Sequence, residues 1–311
     1  MSRPAVAAPI SPRNVDVVAP VPFLTEFDPR HGQLVQVAPG IQRVVADNPS
    51  KFTAWGTGTY LVGEDDVAVI DPGPDDVGHV AALLAALDGR RVTHLLITHT
   101  HADHSPAAAA LAAATGAPTY GFGPHPPGAD EHTEEHGDLA FVPDVVVRDG
   151  DVLTGRGFEF ECLHTPGHLS NHVCYAERTR RCLFSGDHVM GWSTSVISPP
   201  AGDLVDYLAN LRRLLGRDDT VYYPTHGPPV TEPQTYVQAL IDHRLERERQ
   251  IVEQVSAGTR TIPEIVEVLY ADVRPELHEP AGRSVHAHLL ALVATGRVVA
   301  LDDDRYGPGR G

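Results

Sequence analysis

Cysteine is scarce in this chain of 311 residues, which contains only Cys162, Cys174 and Cys182. Three cysteines at these spacings fit no thiolate metal motif, and they favour a reducing compartment over a disulfide-stabilised secreted protein. We expect three buried thiols. Cys174 and Cys182 lie about equally far from a turn expected at Arg178, so a hairpin would place the two thiols opposite each other.

Long apolar runs are also missing. No window approaches the roughly 18 uninterrupted apolar residues that a membrane span needs. The N-terminal stretch is rich in proline and valine and lacks the continuous apolar core of a signal peptide, although Arg3 and Arg13 leave organelle targeting as an alternative. We therefore expect a cytoplasmic protein with no membrane partner.

Basic residues are few relative to acidic residues. The chain has 24 Lys and Arg residues against 41 Asp and Glu residues, which gives a formal net charge of -17. Such a surface repels polyphosphate at long range, so a wide nucleic-acid groove is disfavoured, although one local basic patch is compatible with this average. The apolar content of 42% is that of an ordinary globular protein, and the length favours one large and one small domain.

The sequence pattern divides the chain into three parts. We expect an extended lead-in over 1–37. Over 38–235, short strand-like runs alternate with alanine- and leucine-rich helical stretches, which predicts a layered α/β domain. Over 236–311, three helices and a hairpin are predicted, with a capping box at Thr261 and Glu264, and this is the outline of a winged helix.

The stretch "LLITHTHADHSP" is the first candidate site. His99 and His101 follow an apolar strand and are two residues apart, so both side chains can leave the strand on one face. Asp103 and His104 come next, on the loop into a helix. Imidazole and carboxylate are ligands that Zn²⁺ favours, and so dense a cluster would be costly to desolvate without a cation. The alternative is a solvated loop with histidines placed by chance.

Other strand ends carry residues of the same type. His168 follows a strand and a Pro-Gly turn in "LHTPGH", Asp187 ends the run "LFSGD", and His226 ends "YYPTHG". An α/β sheet delivers functional groups to one edge, where its strands end. We therefore predict that these side chains meet the first cluster at a single site.

The motifs "THTHADH", "TPGH", "SGD" and "THG", in this order, resemble those of the metallo-β-lactamase superfamily. The stretch "VIDPGP" with Asp71 resembles the first motif of the superfamily. This resemblance covers roughly 38–230 and implies an α/β fold, the four-layer αββα sandwich. The stretch "NPSKFTAWGTGTYLVG" and the C-terminal helices resemble the β-lactamase-like protein two group, in which a winged helix follows the metallo-β-lactamase domain. The implied domains are 1–37, 38–235 and 236–311.

The resemblance also implies a dinuclear metal site. The first metal would be held by His99, His101 and His168, the second by Asp103, His104 and His226, and Asp187 would bridge the two. Two zinc ions per chain are expected, with iron or manganese as alternatives. A metal-bound hydroxide would be the nucleophile, and Asp103 would be catalytic, orienting it or taking its proton. Asp71 is expected to support the metal ligands through hydrogen bonds.

Departures from the superfamily pattern narrow the function. His104 replaces the arginine and Asp187 the cysteine that are usual in antibiotic-hydrolysing members, and His101 replaces the glutamate of the diiron flavoproteins. Only 38 residues separate Asp187 from His226, which leaves no room for the inserted domain of the β-CASP nucleases. Gly58 stands where the β-lactamase-like protein two group is expected to carry asparagine.

We therefore predict a hydrolase that acts on an ester, thioester or related carbonyl of a small-molecule or acyl substrate. One alternative is an endoribonuclease acting on single-stranded RNA, which the acidic surface disfavours. Another is a non-catalytic, metal-bound interaction protein, with the winged helix as the partner-binding module. The twelve acidic residues against nine arginines over 236–311 favour a packing or lid role for the winged helix over DNA binding. The oligomeric state is left open.

Two further features have alternative interpretations. His172 is four residues after His168 and is either a substrate contact or an ordinary strand histidine. The segment "PHPPGADEHTEEHGD" contains His125, His132 and His136, and we expect a solvated loop that borders the pocket in preference to a third metal site.

Overall fold

The computed structural model describes residues 20–130, 135–258, 260–272, 274–275 and 278–309. Most of the expected lead-in, residues 1–19, and His132 of the acidic loop lie outside the described residues. From residue 20 to residue 34 the chain contains no helix or strand, and the first strand begins at Val35.

The described residues form three sheets and six helices. The first sheet contains β1 Val35–Ala38, β2 Ile41–Val45, β3 Gly58–Val62, β4 Asp66–Ile70, β5 Arg91–Leu96, β6 Thr119–Gly121 and β7 Val145–Val146. The second contains β8 Val152–Gly155, β9 Phe158–His164, β10 Val173–Glu177, β11 Cys182–Gly186 and β12 Val221–Pro224, and the third contains β13 Arg260–Thr261, β14 Val298–Ala300 and β15 Arg305–Pro308. The helices are α1 Val77–Leu87, α2 Ala107–Thr115, α3 Leu204–Leu215, α4 Pro233–Ser256, α5 Ile262–Leu269 and α6 His278–Ala294.

The two large sheets pack face to face because their strands are apolar on both sides. Along β3, Tyr60 and Val62 belong to the core between the sheets, together with Phe160 of the second sheet. Leu61, which points to the opposite face, packs in a separate cluster with Leu83 of α1. Side chains alternate between the faces of a strand, so one apolar run supplies both cores.

The outer face of the second sheet is covered in the same way. Leu183 of β11 and Tyr222 of β12 pack in one cluster with Leu211 of α3 and Leu240 of α4. The helices α1 and α2 on one side and α3 and α4 on the other enclose the two sheets. This is the predicted four-layer αββα sandwich.

Two parallel strand pairs fix the position of the site. Strand β4 is parallel to β5 in the first sheet, and β11 is parallel to β12 in the second. Parallel neighbours end at the same edge of a sheet, so the loops that follow these four strands lie next to one another.

The C-terminal part forms a separate small core. Ile251 of α4, Ile265 of α5, and Val285 and Leu289 of α6 pack together beside the three-stranded sheet. The predicted capping box is present, since Thr261 accepts a hydrogen bond from the Glu264 amide and the Glu264 carboxylate accepts one from the Thr261 amide. Helix α4 begins at Pro233, three residues earlier than expected, and extends from the sandwich core into this small core.

The three thiols are free and buried, as expected. The predicted pairing of Cys174 with Cys182 is wrong, because the register of β10 and β11 places Glu177 opposite Cys182. The hairpin turn is centred closer to Cys182 than the sequence suggests. No helix among the described residues is long and apolar enough to cross a membrane.

The packing of the core between the sheets leads to a prediction about stability. Phe160→Ala removes a fully buried ring, so we expect a loss of about 3–5 kcal/mol in the free energy of unfolding, measured by urea denaturation. Val205→Ala is the control, because the side chain of Val205 is exposed on α3, and it should change stability by less than about 0.5 kcal/mol. A Phe160→Ala loss as small as that of the control would contradict this description of the core.

Candidate metal centre

All seven candidate ligands lie together at one edge of the sandwich. They come from the loops that follow four strands, β5, β9, β11 and β12. The imidazole and carboxylate side chains form three groups, and within each group the potential ligand atoms lie within 4.8 Å of one another. These groups are His99, His101 and His168; His99, His104 and Asp187; and Asp103, His104 and His226.

Three ring nitrogens form the first half of the site. The Nδ1 atom of His101 lies 2.9 Å from Nε2 of His99 and 3.1 Å from Nε2 of His168. His99 and His168 use their other ring nitrogen for a hydrogen bond, donating from Nδ1 to Thr98 Oγ1 at 3.1 Å and to Val196 O at 2.6 Å. These hydrogen bonds leave the lone pairs of both Nε2 atoms directed at the shared centre, as metal ligation requires.

The second half pairs two carboxylates with two imidazoles. The Nε2 atom of His226 lies 3.1 Å from an oxygen of Asp103 and 3.5 Å from Oδ1 of Asp187. The Nε2 atom of His104 lies 3.5 Å from Asp103 and 3.6 Å from the same Oδ1. The other oxygen of Asp187 lies 3.8 Å from Nε2 of His168. One carboxylate therefore faces both halves, as expected of a bridging ligand.

At the candidate metal centre, two buried atoms that face the centre have no hydrogen-bond partner among the described residues. They are Nε2 of His104 and Oδ1 of Asp187, which both face the centre. Buried polar groups nearly always have a partner, so these two atoms call for a group that accepts their lone pairs. A cation fits this requirement, and the nitrogen and oxygen donors are those that zinc favours.

Asp71 holds the metal-binding loops together without being a candidate ligand. Its Oδ1 accepts a hydrogen bond from the Thr98 amide at 2.8 Å. Its Oδ2 accepts from the Thr98 hydroxyl at 2.8 Å, the Thr225 hydroxyl at 2.6 Å and Nδ1 of His104 at 2.9 Å. This is the supporting role that the sequence predicts for Asp71.

The charges of the site fall into two groups. Burial, followed by neighbouring histidines, lowers the pKa of His99 and His101 well below its usual value, so both rings are neutral at pH 7. Burial acts in the same direction on His226, but Asp187 and Asp103 outweigh it and raise the pKa to about 10. A cation bound in the second half would replace such protons, which couples metal binding to proton release.

His172 is a supporting residue that the sequence leaves undecided. It is completely buried, its Nδ1 lies 2.9 Å from the Thr165 hydroxyl, and its Nε2 accepts a hydrogen bond from the Asp187 amide at 3.2 Å. The ring therefore positions the Asp187 backbone. Burial lowers the pKa of His172 well below its usual value, which keeps this acceptor nitrogen unprotonated.

The acidic loop differs in part from the expected solvated loop. His125 is buried and hydrogen-bonds with the Thr100 hydroxyl and the Asp130 carboxylate, each at 2.9 Å. Glu135 and His136 line a cavity of about 250 Å³ together with Asp103. The loop therefore borders the site, as expected, but His125 is part of its packed support. The sequence does not predict the buried hydrogen bonds of His125, because a loop has no periodic hydrophobic pattern.

Close packing explains why residue 58 is a glycine. A Cβ atom at this position would lie 3.0 Å from the Arg43 side chain and 3.1 Å from the Thr225 carbonyl, to which the Gly58 amide donates a hydrogen bond. An asparagine here would need a shift of Arg43. Gly58, which replaces the expected asparagine, therefore packs against Thr225, the residue that precedes His226.

The sequence model of the metallo-beta-lactamase superfamily matches residues 53–226, more than half of the chain. The chain belongs to this superfamily, which is metal-dependent, and it is a hydrolase. A second model, the beta-lactamase associated winged helix domain, matches residues 261–307. Both parts of the resemblance noted in the sequence are therefore confirmed.

Individual relatives span both domains. An atrochrysone carboxyl ACP thioesterase from Aspergillus chevalieri is 29% identical over 86% of this chain and 85% of its own length. The beta-lactamase-like protein 2 homolog of Drosophila melanogaster is 28% identical over 85% of this chain and 91% of its own. The crystal structure of a beta-lactamase domain protein from Burkholderia ambifaria shares the fold, with a TM-score of 0.77, 22% identity, and coverage of 92% of this chain and 96% of that one.

The hydrogen bonds of Asp71 lead to a prediction about metal affinity. Asp71→Asn cannot accept all four hydrogen bonds, so His104 loses its orientation, and we expect metal affinity to fall about 10- to 100-fold in chelator competition. Asp75→Asn is the matched control, since Asp75 lies four residues away on the surface. Equal affinities of the two variants would contradict the role assigned to Asp71.

Proposed function

We propose that this hydrolase cleaves an ester or thioester of a small-molecule or acyl substrate with two zinc ions bound by the seven candidate ligands. The single observation that carries the proposal is the convergence, at one edge of the sandwich, of three loops that supply the histidines and a fourth that supplies Asp187, whose carboxylate faces both halves of the site. The thioesterase named among the relatives supports the choice of substrate class. When bound, two such cations would lower the pKa of an attacking water and stabilise the negative charge that develops on the substrate.

The proposed roles of the protein side chains follow from their positions. His99, His101 and His168 would hold one cation, Asp103, His104 and His226 would hold the other, and the Asp187 carboxylate faces both groups. Neutral imidazoles suit the first cation, because burial keeps the pKa of His99 and His101 low. The carboxylates of the second half balance the charge of the other cation.

Asp103 is the proposed catalytic carboxylate. Its side chain is 27% exposed, and it lines the cavity of about 250 Å³. Burial acts to raise its pKa, but His104 and His226 outweigh burial and hold the pKa well below its usual value. Asp103 is therefore ionised at neutral pH and suited to orient an attacking water, whereas so low a pKa makes it a weak proton acceptor.

The cavity beside Asp103 suits an uncharged carbonyl substrate with an apolar portion. Phe52 offers an aromatic ring, while the hydroxyl groups of Ser50 and Thr53 hold the loop in place, since Thr53 donates to the Asn48 carbonyl and Ser50 accepts from the Phe52 amide. The wall also contains Glu135, whose pKa is raised chiefly by burial. No arginine lines this cavity among the described residues, which favours a carbonyl over the charged backbone of RNA.

Metal content is the first test. Elemental analysis of protein purified without added metal should give about two equivalents of zinc, and His101→Ala should lose at least one of them because it removes a nitrogen within 3.1 Å of two others. His286→Ala is the matched control, since His286 lies on α6 and belongs to none of the three ligand groups. Unchanged zinc in His101→Ala would contradict the ligand assignment.

Substrate class is tested with a panel of acyl thioesters, esters and fluorescent single-stranded RNA, each with and without chelator. We expect chelator-sensitive cleavage of thioesters or esters, and Asp103→Asn should lower kcat by about 10²- to 10⁴-fold. The control Asp218→Asn removes an exposed carboxylate outside the cavity and should leave kcat unchanged. Cleavage of RNA alone would overturn the proposed substrate class in favour of a nuclease.

A further inference from the structure

A second cavity lies between the sandwich and the winged helix. It has a volume of about 460 Å³ and is bounded by the loop 192–197, by α4 and by α6. It shares no lining residue with the cavity beside Asp103. The proposed hydrolysis assigns it no role.

Two arginines of α4 face this cavity. Arg244 and Arg247 are three residues apart and therefore lie on one side of the helix. Neither arginine takes part in an ion pair among the described residues. The lining likewise contains no Asp or Glu among the described residues. In a chain of net charge -17, this cavity concentrates positive charge.

The guanidinium groups are held in place by neutral partners. Arg244 is only 4% exposed, donates to the Ser195 carbonyl at 2.5 Å, and lies over the Tyr207 ring. The guanidinium carbon of Arg247 lies 4.2 Å from the centre of the Tyr270 ring. These partners carry no charge, and the carboxylate of Glu246, which interacts electrostatically with Arg247, forms its ion pair with Arg249 instead. A planar guanidinium held in this way is suited to carboxylate or phosphate-like groups.

Several buried donors and acceptors of the cavity wall have no partner. They are Nε1 of Trp192, Nδ1 of His243 and Nε of Arg244. Burial, followed by the two arginines, lowers the pKa of His243 to about 4, so this ring is neutral at pH 7 and adds no charge. Unpartnered buried polar atoms beside a cavity indicate that another molecule completes their hydrogen bonds.

The remaining wall is apolar and aromatic. Phe23, Trp192 and Tyr270 offer rings, and Val196, Ile197 and Pro280 offer aliphatic surface. Ligand sites of this size combine such a lining with a few polar groups that fix orientation. The cavity therefore suits a molecule with a flat apolar body and one anionic group.

We propose that this cavity between the loop 192–197, α4 and α6 is a binding site for an organic anion that has a flat apolar body. Arg247 and Arg244 receive the anionic group, and the aromatic side chains enclose the body. The wall also contacts the candidate metal centre, because Val196 accepts the hydrogen bond of His168. A bound anion therefore lies against the segment that orients a candidate metal ligand.

The proposal can be tested by titrating the wild-type protein with two probes of equal shape. Naphthalene-1-sulfonate is anionic and is not an ester, whereas naphthalene-1-sulfonamide has the same ring system without the charge. Isothermal titration calorimetry should give saturable binding of the sulfonate, about tenfold tighter than that of the sulfonamide, because a charge-assisted hydrogen bond is lost in the second probe. Equal affinities, or no binding of the sulfonate, would overturn the proposal.

Variants on one helix locate the site. Arg247→Gln should weaken sulfonate binding about tenfold, and Arg247→Lys should recover part of that loss. Arg249→Gln is the matched control: it removes the same charge from α4, but at an exposed residue paired with Glu246. Equal weakening by Arg247→Gln and Arg249→Gln would contradict the site. Thermal unfolding checks the fold of each variant, and the two-probe comparison in the wild type stands without them.

Because the titration involves no turnover, its outcome is independent of the proposed hydrolysis. A protein that binds the sulfonate but cleaves no thioester retains this site and loses the proposed activity. A protein that cleaves thioesters but does not distinguish the probes retains the activity and loses this site.

Discussion

The site depends on one buried carboxylate, Asp71. Its two oxygens accept four hydrogen bonds, from Thr98, Thr225 and His104, and so connect the loops that follow β4, β5 and β12. A fully buried carboxylate is costly to desolvate, and only a complete set of donors compensates for that cost. The backbone at Asp71 has a positive φ of 47°, an uncommon conformation for a residue with a side chain. Local strain is thus accepted at the point where the loops are joined.

The two sheets contribute unequally to the site around Asp71. The loop after β5 supplies His99, His101, Asp103 and His104 within six residues of sequence, whereas the second sheet supplies its ligands singly, one after each of β9, β11 and β12. The site can therefore form only when the core between the sheets is packed. The interaction of Tyr60 with the Pro224 carbonyl at 2.7 Å is one link across that core, next to the loop of His226. Stability of the sandwich and the geometry of the centre are consequently coupled.

Much of this arrangement is predictable from the sequence, because strand ends and ligand types are local signals. The apolar runs before Asp71, His99 and Asp187 identify β4, β5 and β11, and the parallel pairing of β-α-β units brings their ends together. What the sequence leaves open depends on long-range contacts. His172 supports the Asp187 backbone through a tertiary hydrogen bond, and the β10–β11 register depends on which residues form the turn. Neither contact leaves a periodic pattern in the sequence.

The winged helix takes part in the sandwich as well as in its own fold. Helix α4 is shared by two cores, with Leu240 in one and Ile251 in the other, and Ala287 of α6 packs with the sandwich cluster. Arg244 reaches from α4 to the Ser195 carbonyl, and the Ser195 hydroxyl donates to the Asp187 carbonyl at 2.6 Å. Two hydrogen bonds therefore connect the C-terminal domain to the backbone of the residue that faces both halves of the candidate metal centre. The buried Arg244 thus allows the C-terminal domain to support the backbone beside this centre, whereas other arginines of the domain, such as Arg249 and Arg297, are exposed.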